Sequence, residues 1–144
     1  FPPRHVGFFS NESVGYSYSK QKTKSKKLTS NLQKMLDLVN QKLDANFNGI
    51  LINKYQDGND SIGKHSDDET GLAPQGVVSI SWGASRKFRI RDKKNGKIKL
   101  DYLTQNNEIL VMSGDFQKQF THEIPREKKV KEMRYSFTFR QHTS

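Results

Sequence analysis

The sequence predicts a mainly β domain, a sandwich or barrel with one helix packed on its outside. Three observations carry this expectation. A single helical stripe stands near the N-terminus, short alternating runs begin at Phe47, and clusters of turn-forming residues separate those runs. At 144 residues the chain is one domain, long enough for a core of its own. Its opening, FPPR, reads as the interior of a longer protein.

The segment KQKTKSKK (20–27) places five lysines in eight residues, which predicts a solvated loop able to touch phosphates through Lys22 and Lys24. A helix is expected over 28–44, because Leu28, Leu32, Met35, Leu36, Val39 and Leu43 recur at helical spacing. Ser30 with Gln33 resembles a capping box at its start. Strands follow at FNGILINKY (47–55), VVSISW (77–82), RKFRIR (86–91), EILVM (108–112) and RYSFTFR (134–140), with DGND, DKKNGK and TQNNE as the turns. In the last strand Tyr135, Phe137 and Phe139 share one face, which belongs against a core. Arg134, Ser136, Thr138 and Arg140 share the other. Two guanidiniums on one wall suit a dicarboxylate, which such forks bind in bidentate fashion.

The chain carries 25 Lys and Arg against 15 Asp and Glu, a net charge of +10. Such an excess favours polyanions, nucleic acid above all, through release of counterions. There is no cysteine, which excludes disulfides and thiolate metal sites and fits a reducing, intracellular compartment. No stretch approaches the roughly 18–20 apolar residues of a membrane helix.

GKHSDDE (63–69) poses the functional question. His65 and Asp67 stand at i and i+2 and project to one side of an extended chain, as two adjacent ligands of one ion would. QFTHEIP (119–125) supplies a distant third, His122. Two histidines and a carboxylate with open positions form the facial triad of non-haem Fe(II) oxygenases. H-x-D alone occurs by chance in many proteins; the later histidine and the arginine pair raise its weight. His5 and His142, near the termini, are taken as incidental.

Together, FNGILINKYQDGNDSIGKHSDDE, QFTHEIP and RYSFTFR resemble the AlkB family of Fe(II)- and 2-oxoglutarate-dependent dioxygenases, most of all its branch that repairs alkylated bases. The likeness runs from PRH near the start to the end of the chain. It implies a double-stranded β-helix, or jelly-roll, over 47–144, with the helix outside it and residues 1–27 forming a substrate lid and the Lys-rich loop. It also implies that His65, Asp67 and His122 hold Fe(II), and that 2-oxoglutarate and dioxygen are the cosubstrates. Arg140, helped by the Tyr55 hydroxyl, would then pair with the distal carboxylate of 2-oxoglutarate. Arg134 and Asn53 would sit around the metal end, with Ser136 at the margin.

The implied reaction is oxidation of an N-methyl group on a base such as 1-methyladenine or 3-methylcytosine. The hemiaminal formed collapses to formaldehyde and the restored base. The base must be flipped out or single-stranded to reach the metal. By resemblance Tyr18, with Tyr16 on the same lid, stacks on it. Asp68 and Glu69 face the cationic lesion, a charge match that favours the alkylated base over the neutral one. Arg4 contacts the nucleic-acid backbone or the lid. A monomer acting on DNA or RNA, with no membrane partner, is the expectation. An oxygenase acting on a protein or small molecule, and a nucleic-acid-binding module without catalysis, are the competing readings.

Overall fold

The computed structural model describes residues 5–10, 16–18, 21–23, 26–66 and 76–141. Among them the chain runs β1 (His5–Ser10), β2 (Tyr16–Tyr18), β3 (Gln21–Thr23), β4 (Lys26–Lys27), α1 (Ser30–Leu43), β5 (Gly49–Tyr55), β6 (Ile62–His65) and β7 (Val77–Gly83). It continues through β8 (Lys87–Asp92), β9 (Ile98–Leu103), β10 (Ile109–Met112), α2 (Gly114–Gln119), β11 (Phe120–Ile124) and β12 (Arg134–Arg140). A six-stranded sheet has the order β10-β7-β12-β5-β1-β4, a four-stranded sheet the order β6-β11-β8-β9, and β2 and β3 form a separate ribbon. This is the mainly β jelly-roll expected.

α1 forms where its apolar stripe predicted, but the cap differs. Thr29, in extended backbone, accepts from the Leu32 amide through Oγ1, so Thr29 and not Ser30 closes the first turn. The Gln33 side chain, free of capping, donates to Asp37 Oδ1 one turn on. The helix ends at Asp44 in left-handed geometry (φ 50°, ψ 51°). Asn40 then accepts from the Phe47 amide and donates to the Phe47 carbonyl, tying the helix to the chain that enters β5.

Cross-strand register explains where the core sits. Phe9, Ile50, Phe139 and Val78 form one row across β1, β5, β12 and β7; Ile52, Phe137 and Ile80 form the next. α1 covers these rows with Leu36 and Val39, and with Leu32 and Met35 around them. Leu43, expected on the same stripe, is 39% exposed. The opposite face of these strands lines the interior.

Two expectations about layout are corrected. β1 pairs with β5 from Gly49 to Lys54, and β4 lies parallel to β1 at the edge of the six-stranded sheet, so these parts of the segment expected as lid and Lys-rich loop belong to the main sheet. Lys26 and Lys27, counted in the Lys-rich loop, are therefore strand residues. The chain also forms a second helix, α2, where a single helix was expected. It is short, with Ser113 as its cap.

Candidate metal and dicarboxylate site

His65 is the last residue of β6, and His122 lies in the middle of β11. The two are direct partners across the antiparallel pair, and so are Ile62 and Ile124. Three steps on β6 thus match two on β11, so β6 carries one extra residue. The parity matters. In a regular strand Ile62 and His65, three apart, would point to opposite faces, and the irregularity lets both follow Ile124 and His122.

The imidazole centroids are 4.2 Å apart at an interplanar angle of 58°. His65 Nδ1 lies 2.8 Å from the Gly63 carbonyl oxygen, which can only accept, so Nδ1 carries the proton in the neutral ring. Nε2 is then the lone-pair nitrogen, the arrangement of a histidine prepared to bind a metal. His122 is 5% exposed and stacks on Phe88 at 5.2 Å and 14°, with Phe116 on another side at 6.3 Å. Its ring orientation is set by packing.

The interior face of the six-stranded sheet is polar across β7 and β12 and part of β5, with Leu51 and Phe8 as an apolar patch beside it. Ser81, Ser136 and Asn53 form one row across β7, β12 and β5, and Ser79 pairs with Thr138 in the next. All are buried. Ser136 Oγ lies 3.2 Å from Ser79 Oγ and 3.5 Å from Thr138 Oγ1. Arg134 and Arg140, each 2% exposed, stand at the two ends of β12 on this face. Arg134 donates from Nη2 to Ser81 Oγ at 2.8 Å. Its Nε and Nη1 have no hydrogen-bond partner among the described residues, nor does it form an ion pair there. Burial holds its pKa below the usual arginine range, Tyr55 pulls it back up, and Arg86 pushes it down.

The register corrects one pairing. Tyr55 is the partner of Arg134, whose guanidinium carbon lies 5.2 Å from the Tyr55 ring centroid. Arg140 is the partner of Gly49, six residues and roughly 20 Å of strand away. Antiparallel pairing puts the end of β5 beside the start of β12, so Tyr55 belongs with Arg134 and not with Arg140. Asn53, partner of Ser136, stands between the two arginines.

Two imidazoles, one of them in a tautomer suited to a metal, together with a buried pair of arginines of which Arg134 has uncommitted N–H groups, fit Fe(II) and a dicarboxylate. The donor set is incomplete among the described residues, which hold no cluster of three metal-binding side chains. Asp67, the expected third ligand, lies outside them, as do Asp68, Glu69, Arg4 and Lys24. So do the side chains of Tyr16, Tyr18 and Lys22, whose backbones form the β2–β3 ribbon. Residues not anticipated are Ser79, Ser81, Phe88, Phe116 and Arg86. The two serines were visible as the polar phase of VVSISW; nothing in RKFRIR marked Arg86 as different from the other arginines.

The family model of the 2OG-Fe(II) oxygenase superfamily matches residues 5–140. Human "DNA oxidative demethylase ALKBH2" is 32% identical over 148 residues, covering 96% of this chain and 56% of that protein. Rat "Alpha-ketoglutarate-dependent dioxygenase alkB homolog 3" is 39% identical over 107 residues, covering 65% of this chain and 35% of that one. The chain thus spans about half the length, or less, of these relatives. The solved structure of OsALKBH1 superposes with a TM-score of 0.60 at 19% identity, over 87% of this chain and 71% of that one.

Proposed function

The chain belongs to the 2OG-Fe(II) oxygenase superfamily and, within it, to the AlkB family, and from that premise we propose that it oxidatively demethylates N-alkylated bases in DNA or RNA. The observation that carries the proposal is the register pairing of His65 with His122, which brings together imidazoles 57 residues apart. The family implies Fe(II), 2-oxoglutarate and dioxygen. In this reading His65 and His122 hold the iron, with Asp67 completing the set. Iron and cosubstrate, when bound, supply the oxidising chemistry.

The chain's own residues bind, orient and exclude water. Arg134 and the Tyr55 hydroxyl receive the distal carboxylate of 2-oxoglutarate; Arg134 has N–H groups to give and no competing anion among the described residues. Asn53 and Arg140 serve the other end, and the Ser79–Ser136–Thr138 hydroxyls keep the floor polar without adding charge. Phe88 and Phe116 pack around the His122 ring and keep water from it. The net charge of +10 draws a polyanionic substrate, and the names of the ALKBH2 and alkB homolog 3 relatives support nucleic acid. Among the described residues no helix is long and apolar enough to cross a membrane.

The test is formaldehyde release from oligonucleotides bearing 1-methyladenine or 3-methylcytosine, given Fe(II) and 2-oxoglutarate. His65→Ala abolishes release and leaves oligonucleotide binding in place. Equal turnover by the variant removes the ligand assignment. Turnover driven by a peptide but by no oligonucleotide moves the substrate to protein.

A further inference from the structure

Arg86 is the largest fully buried side chain among the described residues, 1% exposed, and it belongs to neither histidine strand nor to β12. Its guanidinium is held by backbone oxygens. Nη1 donates to the Asp57 carbonyl at 3.1 Å, and Nη2 donates to those of Asp60 and Pro125 at 2.8 Å each. Nε faces Glu127 Oε1 at 3.4 Å. The Arg86 amide donates to Thr104 Oγ1, and the Arg86 carbonyl accepts from the Thr104 amide, which fixes the stem.

These partners are not scattered. Residues 57–60 join Tyr55 to β6, which ends at His65, and residues 125–127 directly follow β11, which carries His122. The two turns also meet backbone to backbone. Glu127 donates its amide to the Gly58 carbonyl, Gly58 donates to Val130, and a Cβ on Gly58 would fall 1.7 Å from the Glu127 carbonyl oxygen. With its N–H groups committed in plane, Arg86 presents a flat face, and the Tyr55 ring lies against it at 5.5 Å. Arg134 covers that ring at 5.2 Å. The Tyr55 ring therefore touches two guanidiniums. One is locked to the backbone; the other has N–H groups available for an anion.

We propose that Arg86 is a positioning residue for the cosubstrate pocket: it anchors the Tyr55 ring so that hydroxyl and Arg134 guanidinium meet the distal carboxylate of 2-oxoglutarate in a preset arrangement. This rests on the cosubstrate reading given above. Lysine cannot replace it. An ammonium has three tetrahedral donors and no flat face, so it cannot hold both turns and support a ring at once.

The experiment titrates 2-oxoglutarate by calorimetry into Mn(II)-loaded wild-type protein and Arg86→Lys. The variant should bind 2-oxoglutarate roughly ten-fold more weakly, the scale of a small misplacement in a preset site. Its affinities for Mn(II) and for oligonucleotide should stay within about two-fold, since neither is read by Tyr55. A folded variant that binds 2-oxoglutarate as the wild type does overturns the proposal, as does one that loses Mn(II) equally. Because Arg86→Lys threatens folding, a second measurement uses wild-type protein alone. If Tyr55 is anchored to the two turns, 2-oxoglutarate must slow hydrogen exchange at the Gly58, Glu127 and Val130 amides more than within α1. Unchanged exchange at those amides in saturated protein overturns the proposal equally. Failure of the wild type to bind 2-oxoglutarate sinks the cosubstrate reading and this inference with it; binding without an effect of Arg86 sinks the inference alone.

Discussion

The two faces of β5, β7 and β12 are built from different chemistry, and the more polar of them is the more completely buried. Towards α1 they present Ile50, Ile52, Val78, Ile80, Phe137 and Phe139; towards the interior they present Asn53, Tyr55, Ser79, Ser81, Arg134, Ser136, Thr138 and Arg140. Phe139 is 0% exposed and its chain neighbour Arg140 2%, so burial does not set these two apart. What separates the faces is whether the protein satisfies its own groups. The outer face is complete once α1 is laid on it. On the inner face Arg134 keeps two N–H groups unmatched among the described residues, an arrangement costly to a fold and useful to a ligand.

Substitutions should therefore behave in opposite ways on the two faces. Phe139→Ala opens a cavity under α1 and should lower stability by about 3–5 kcal/mol in urea unfolding. Turnover per folded molecule should survive. Arg134→Met on the inner face should leave stability unchanged or raise it by ~1 kcal/mol, while 2-oxoglutarate binding is lost. The sign follows from the burial of the charge. An arginine whose pKa falls on folding holds its proton less well in the folded state, so its burial costs stability wherever both states are protonated, neutral pH included. A marked loss of stability in Arg134→Met would make the guanidinium part of the scaffold and end the contrast.

β12 was legible in the sequence because both of its phases are strong: aromatics on one side, cations and hydroxyls on the other. α1 was legible for the same reason, although Thr29 and Ser30 are adjacent hydroxyls and only geometry chose the cap. β6 was not legible. Its four residues, IGKH, contain one buried apolar residue and no alternation, and its irregular pairing breaks the period that a strand reading relies on. β9 was hidden differently: at a sheet edge, Ile98, Leu100 and Leu103 are about half exposed, so its pattern does not separate inside from outside. For the site, spacing told which residues share a face but not which stand opposite one another. That is why His65 and His122 could be expected to meet, while Tyr55 was matched with the wrong arginine.

The smallest effect expected concerns a third arginine, and it tests the comparison by supplying what Arg134 lacks. Arg89 on β8 forks onto Asp101 of β9, Nε to Oδ1 at 2.9 Å and Nη2 to Oδ2 at 3.1 Å. Here the hydrogen bond to the carboxylate raises the guanidinium pKa and holds Asp101 below the usual carboxylate range. Side-chain exposures of 22% and 32% leave the pair screened by solvent, so it contributes less than about 1 kcal/mol. A carboxylate depressed on folding stabilises above its unfolded pKa of about 4 and loses that contribution as pH falls through the folded value. Asp101→Asn should thus be slightly less stable than wild type at pH 7. The difference should close in acid, and the proposed demethylation should be unchanged. If unfolding curves kept the same gap at both ends of that range, the pair would be acting through packing rather than charge. The division of this protein's arginines into one matched by the fold and one held for a guest would then need another basis.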